Sequence, residues 1–113
     1  MTKGKKKTSQ VCFTSSYYTL SEVIEKINNG QFLINSNAAR LAFQDFGWEI
    51  SDIVKAYRKL QPKHFYKSDN SRSKPGLVID VYKAYLFGEN IYTHFYIDDT
   101  IKKLVINSFH KLS

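Results

Sequence analysis

The chain has 113 residues, enough for one domain with one core, and 42% of them are hydrophobic, which excludes wholesale disorder. Its net charge of +7 and pI near 9.5 favour a polyanionic partner. A single cysteine, Cys12, excludes an intrachain disulfide and a zinc cluster built on thiolates, and fits a reducing cytoplasm. No apolar run approaches the roughly 20 residues of a membrane span, and the basic start lacks the apolar stretch of a signal peptide. The protein is therefore expected to stay in the cytoplasm.

Residues 1–17 read as a flexible basic extension and 18–113 as a single domain. With Lys3, Lys5, Lys6 and Lys7 set aside, thirteen basic and ten acidic side chains remain, or +3, so much of the charge belongs to the extension. Such an arm suits two roles, a solvated terminus or a grip on phosphates. Thr19-Leu20-Ser21-Glu22 has the pattern of a capping box. Leu20, Val23, Ile24 and Ile27 follow at helical spacing, and Asn29-Gly30 supplies the stop. Phe32-Leu33-Ile34 reads as a small strand or a linker packed on the core. Ser36-Asn37 offers the next cap, for a helix over 38–46 with Leu41, Ala42 and Phe46 inward and Gly47 at its end. A third helix is expected from Ser51 to Lys59, with Ile53, Val54 and Tyr57 inward and Pro62 beyond it.

The period then changes. Residues 68–76 are polar and read as a loop with little reason to pack. Leu77–Leu86 is rich in β-branched and aromatic residues, as a strand is. After a Gly88-Glu89-Asn90 turn, Ile91, Thr93, Phe95 and Ile97 alternate with Tyr92, His94 and Tyr96, which predicts a strand with two unlike faces. Asp98-Asp99-Thr100 turns again, and Lys103–Phe109 is the last strand. The predicted fold is α+β, with N-terminal helices packed on a C-terminal antiparallel β-meander.

Few chemistries are open to these residues. His64, His94 and His110 lack the short helical spacing of a zinc pair, and Asp98-Asp99 reads as turn chemistry. Cys12 has no base fixed near it, and no glycine-rich phosphate loop occurs. Metal-independent RNA cleavage needs less. The substrate supplies its own 2′-hydroxyl as nucleophile. The protein holds the phosphate in line, moves protons and stabilises charge on the phosphoryl oxygens. Lys67, in an aromatic segment, together with Tyr92, His94 and His110 on the strands, can do this. Each also has a plainer reading: a surface lysine, a sheet tyrosine, a solvated imidazole, a terminal histidine. Asp80 reads as a structural carboxylate paired with Lys83 or a helix cation.

Phe65-Tyr66-Lys67-Ser68, then Asp80-Val81-Tyr82, then Gly88 with Tyr92, and Ser108-Phe109-His110 together resemble the motility quorum-sensing regulator (MqsR) toxins, over about residues 19–111. The resemblance implies a RelE-like α+β fold and the toxin of a type II toxin–antitoxin pair. It implies an mRNA interferase with no cofactor and no metal, mRNA as substrate and a separate antitoxin protein as partner. Lys67 matches the family's active-site lysine and Tyr92 its active-site tyrosine. His110 stands where the family often has a terminal lysine, and Lys111 beside it is the alternative for that role. On this reading Lys67 neutralises the scissile phosphate, Tyr92 orients it and His110 transfers protons, with His94 in reserve. Tyr66, Arg72, Lys74 and His94 contact the RNA. One departure matters. The family often carries Trp-Gln before Asp-Val-Tyr, and this chain has Val78-Ile79, so one polar contact is absent or taken over by His94 or Arg72. A non-catalytic RNA- or protein-binding module on the same fold is the alternative.

Overall fold

The computed structural model describes residues 15–112. Lys3, Lys5, Lys6, Lys7 and Cys12, on which the expectations for the basic arm and the thiol rest, lie outside the described residues. Three helices come first: α1 (Leu20–Asn28), α2 (Ser36–Phe46) and α3 (Ile50–Arg58). A short strand, β1 (Phe32–Ile34), lies between α1 and α2. A 3-10 turn at Pro62–His64 then leads into β2 (Phe65–Asn70), β3 (Val78–Leu86), β4 (Glu89–Asp98) and β5 (Lys103–Lys111). The expected α+β order therefore holds.

The helix ends follow local chemistry. Thr19 accepts a hydrogen bond from the Glu22 N–H at the start of α1. The cap of α2 is Asn35, one residue before the expected pair, and its Oδ1 accepts from the Asn37 N–H at 2.8 Å. Gly47 closes α2 at φ +72°, a conformation that suits glycine. Helix α3 starts at Ile50 rather than Ser51. Its cap is Glu49, which exchanges hydrogen bonds with Asp52 in a capping box.

Strands β3 to β5 form the expected antiparallel meander, β2 extends it beyond β3, and β1 adds to it in parallel beside β5, pairing Phe32 with Leu104. The sheet is therefore mixed, in the order β1-β5-β4-β3-β2. All three helices cover one face. There Val23, Ala42, Ile53 and Tyr57 pack on Tyr82, Ile91, Phe95, Ile106 and Phe109 to make the core. The buried hydroxyls in it are satisfied. Thr93 donates to the Ser108 carbonyl at 2.7 Å, so the Tyr57 hydroxyl is the donor in its 2.6 Å bond to Thr93.

Two expectations are corrected here. Residues 68–70 are strand, not loop, and Ser68 is buried. The cause is Asp80, a fully buried carboxylate that accepts from the Ser68 hydroxyl and from the N–H groups of Tyr17 (3.0 Å) and Tyr18 (2.8 Å). A buried charge needs such donors. These bonds take the place of the ion pair expected with Lys83 or a helix cation. They also attach Tyr17, the last residue of the expected extension, to the sheet.

Candidate active site

The register decides which side chains share the face that the helices leave open. On β3, Asp80, Tyr82 and Ala84 point to the core, so Ile79, Val81 and Lys83 point outward. Tyr92 opposes Lys83, and His94 opposes Val81. On β5, His110 opposes Tyr92 and Ser108 opposes His94.

Two bulges adjust this pattern. Phe65 pairs with Tyr82 and Lys67 with Val81, so Tyr66 is an extra residue in β2. Phe65 accordingly packs inward on Tyr82, with ring centroids 5.7 Å apart, while Lys67 two residues later faces outward. On β5 the shift falls between the partners of His94 and Phe95, leaving Asn107 as the extra residue.

Lys67, Arg72, Tyr92 and His94 come together in one cleft of about 400 Å³. Ile79 and Val81 line it as well, with Asp69 and Asn107 as polar neighbours. Ile79, where the resemblance implies a glutamine, lines this cleft with an apolar side chain. His94 and Arg72, the two expected replacements, line the same cleft. Tyr66, half exposed, adjoins the cleft through Lys67, whose ammonium is 5.8 Å from its ring centroid, and the Lys83 ammonium is 3.6 Å from the same centroid. Lys74 is placed elsewhere. Its ammonium lies 5.5 Å from the Tyr96 ring centroid, beside a separate depression lined by Tyr17, Tyr18 and Asp98. It is not a wall of the cleft that holds Lys67.

The charges are ordered. Lys67 Nζ is 3.3 Å from Asp69 Oδ2, and both side chains are about half exposed (51% and 50%). The Asn70 N–H donates to Asp69 and holds its carboxyl below the usual carboxylate range, with help from Lys67 and Arg72. Burial, and then the neighbouring His110, lower the pKa of His94. Its Nδ1 is buried and has no hydrogen-bond partner among the described residues.

His110 lies at the margin of the cleft, stacked on Tyr92 with ring centroids 4.8 Å apart and planes inclined by 18°. Its Nδ1 is 2.9 Å from the Lys111 carbonyl oxygen. A carbonyl only accepts, so Nδ1 carries the hydrogen. In the neutral ring the lone pair then belongs to Nε2. A main-chain carbonyl thus selects the tautomer in which Nε2 can act as a base.

Asp69, Asn107 and Lys83 were not among the residues expected at the site. Alternation along β3 places Lys83 on the face of Tyr92, and that signal is present in the sequence. Asp69 and Asn107 depend on the two bulges, for which no sequence signal was available. No group of three or more His, Cys, Asp or Glu residues able to hold a metal ion occurs among the described residues. No helix among them is long and apolar enough to cross a membrane.

Helices on one face of a sheet, with a basic and aromatic cleft on the other, define a small α+β protein with a surface suited to a polyanion. A family model described as motility quorum-sensing regulator, toxin of MqsA, matches residues 15–111, and the chain belongs to that family. It is a toxin of a toxin–antitoxin pair, in a class with an antitoxin partner and, in general, ribonuclease activity. No curated protein matches the chain.

Proposed function

We propose that the chain is a metal-independent endoribonuclease that cleaves mRNA in the cytoplasm and is silenced by its own antitoxin protein. The observation that carries this reading is the shared cleft of Lys67, Tyr92 and His94, with His110 stacked on Tyr92 and its Nδ1 held by a main-chain carbonyl.

In the proposed reaction the 2′-oxygen of a ribose bonds to the adjacent phosphorus as the bond from phosphorus to the 5′-oxygen breaks. His110 Nε2 takes the proton of the 2′-hydroxyl, and the departing 5′-oxygen takes a proton from water. The Lys67 ammonium stabilises the extra charge on the phosphoryl oxygens, and the Tyr92 hydroxyl donates to one of them. Asp69 holds Lys67 until RNA arrives, and phosphate then competes for the ammonium. Arg72 draws the backbone toward the cleft, and Tyr66 and His94 contact the strand. Lys74, placed over Tyr96, contributes to the field along the strand rather than to the reacting phosphate. The products carry a 2′,3′-cyclic phosphate and a 5′-hydroxyl.

A second reading draws on Ile79. With an apolar side chain at the glutamine position, a relative that binds RNA or protein without cleaving it is the competing account. Cleavage of an RNA oligonucleotide in EDTA, with cyclic phosphate ends detected by mass spectrometry, supports the enzyme. Cleavage that requires added magnesium overturns the mechanism. Growth arrest by the wild type that is lost in folded Lys67→Ala supports catalysis, whereas harmlessness of both supports the binding module.

A further inference from the structure

Lys83 and Tyr66 stand beside the cleft, and the proposed reaction leaves Lys83 without a role. Lys67 is engaged by a carboxylate 3.3 Å away. Lys83 has no carboxylate partner among the described residues; its ammonium rests 3.6 Å from the Tyr66 ring centroid. A cation–π contact between a half-exposed tyrosine and a half-buried lysine is a modest one. That is weak enough to leave the ammonium N–H groups available to a stronger acceptor. Tyr66 as a residue is 53% exposed, so part of it stays open to solvent beside the Lys83 ammonium and the Lys67 ammonium, the latter 5.8 Å from the ring centroid.

The register places this pair relative to the reacting groups. Lys67 opposes Val81, and Lys83 lies two residues further along β3. That is roughly 7 Å of strand, on the order of the step between successive phosphates of an extended nucleic acid strand. Lys83 also opposes Tyr92 directly, and Tyr92 opposes His110. A strand whose reacting phosphate lies between Lys67 and Tyr92 therefore has its next phosphate near Lys83. The Tyr66 bulge turns an aromatic ring toward the same place.

We propose that Tyr66 and Lys83 form a nucleotide subsite beside the cleft. Lys83 holds the phosphate next to the scissile one, and the ring of half-exposed Tyr66 stacks with a base. The ligand is single-stranded RNA, and the subsite rests on the RNA-cleaving reading above. Stacking on a ring is tolerant of sequence, because every base offers a π face. The subsite therefore raises affinity for any strand and adds little base preference.

The test uses the full chain and a fluorescent RNA octamer with 2′-O-methyl groups throughout, which cannot be cleaved by 2′-attack. Its affinity is measured by anisotropy over a series of salt concentrations. Lys83→Ala is expected to weaken binding several-fold at low salt. It should also lower the slope of log Kd against log salt by about 0.7, the loss of one phosphate contact on a single strand. Lys83→Arg should restore that slope. Tyr66→Ala should weaken binding by roughly five- to a hundredfold with the slope unchanged, and Tyr66→Trp should retain affinity. An unchanged slope in Lys83→Ala, or unchanged affinity in Tyr66→Ala, makes the two residues a packing pair only and overturns the subsite. If the wild type cleaves natural RNA while Lys83→Ala binds as well as wild type, only the subsite falls. If the wild type binds the methylated strand with the expected variant effects and cleaves nothing, only the catalytic reading falls. A wild type that binds no RNA overturns both.

Discussion

Ser68→Ala removes a single hydroxyl, and its consequences can be followed from the core to the reacting cation. Ser68 lies next to Lys67 in β2, and its hydroxyl donates to Asp80, which is fully buried on β3. A hydrogen bond to a charged acceptor is worth about 1.5–3 kcal/mol. Asp80 keeps the Tyr17 and Tyr18 N–H donors, so the expected loss of stability is about 2 kcal/mol. For a domain of this length that is a fall in melting temperature of roughly 10 °C. Asp80→Ala goes further, because it strips the acceptor from Tyr17, Tyr18 and Ser68 together, and about 4 kcal/mol is expected. Against a typical stability of roughly 5–15 kcal/mol, that variant nears unfolding. Urea unfolding followed by tyrosine fluorescence measures both losses. Amide exchange then locates the damage, which in Ser68→Ala should concentrate in residues 65–70. A loss below about 0.5 kcal/mol, or an increase in exchange spread evenly over the sheet, would refute the idea that this carboxylate clamps the strand that carries Lys67.

Three other outcomes are expected. Thr93→Val should destabilise more than Tyr57→Phe. The first leaves the Tyr57 hydroxyl buried without its acceptor, whereas the second costs about 1 kcal/mol because Thr93 keeps its bond to Ser108; paired urea titrations measure the difference. Asp69→Asn should tighten binding of an uncleavable RNA by up to about fivefold, because it releases Lys67 from a surface pair worth about 0–1 kcal/mol and removes a negative charge from the cleft; anisotropy titration measures it. The pKa values of His94 and His64 are lowered in the fold, chiefly by burial, so the unfolded chain binds more protons near pH 6. Their contribution to stability is present above the ordinary histidine pKa of about 6.5 and is lost as pH falls below it. His94→Gln should flatten part of that decline in unfolding curves between pH 5 and 7.5.

The helices were largely legible because each depends on local chemistry, on caps and a 3.6-residue period. The starts differ by one or two residues, Ser36 against 38 in α2 and Ile50 against Ser51 in α3, because Asn35 and Glu49 make the caps. Strand β4 was legible because Tyr92 and His94 alternate with a buried row. Strand β2 was not, since Phe-Tyr-Lys-Ser-Asp-Asn is mostly polar and its bulge breaks the alternation that marks a strand. The parallel seat of β1 on β5 rests on three residues paired across about seventy positions of chain, which no local pattern encodes. At the site, Tyr92 and His94 follow from alternation along one strand and Lys67 from its aromatic segment, and the family likeness adds roles for Lys67 and Tyr92. Lys74 and Arg72 lie on one loop, and the sequence offers nothing to separate them. In the fold the loop divides them, with Arg72 at the cleft and Lys74 over Tyr96.

The extra residue in β2 has a consequence for how this protein tolerates change in length. Phe65 serves the interior and Lys67 the exterior, and only the odd residue between them makes both assignments compatible with a single register. Deleting Tyr66 would put that stretch out of phase. Either the phenyl group would turn to water or the ammonium would turn into the hydrocarbon interior. Additions around residues 72–76, by contrast, leave that parity untouched. Natural variation in chain length should therefore collect after β2 and be excluded from the one position where a single codon separates the oily side of the sheet from its charged side.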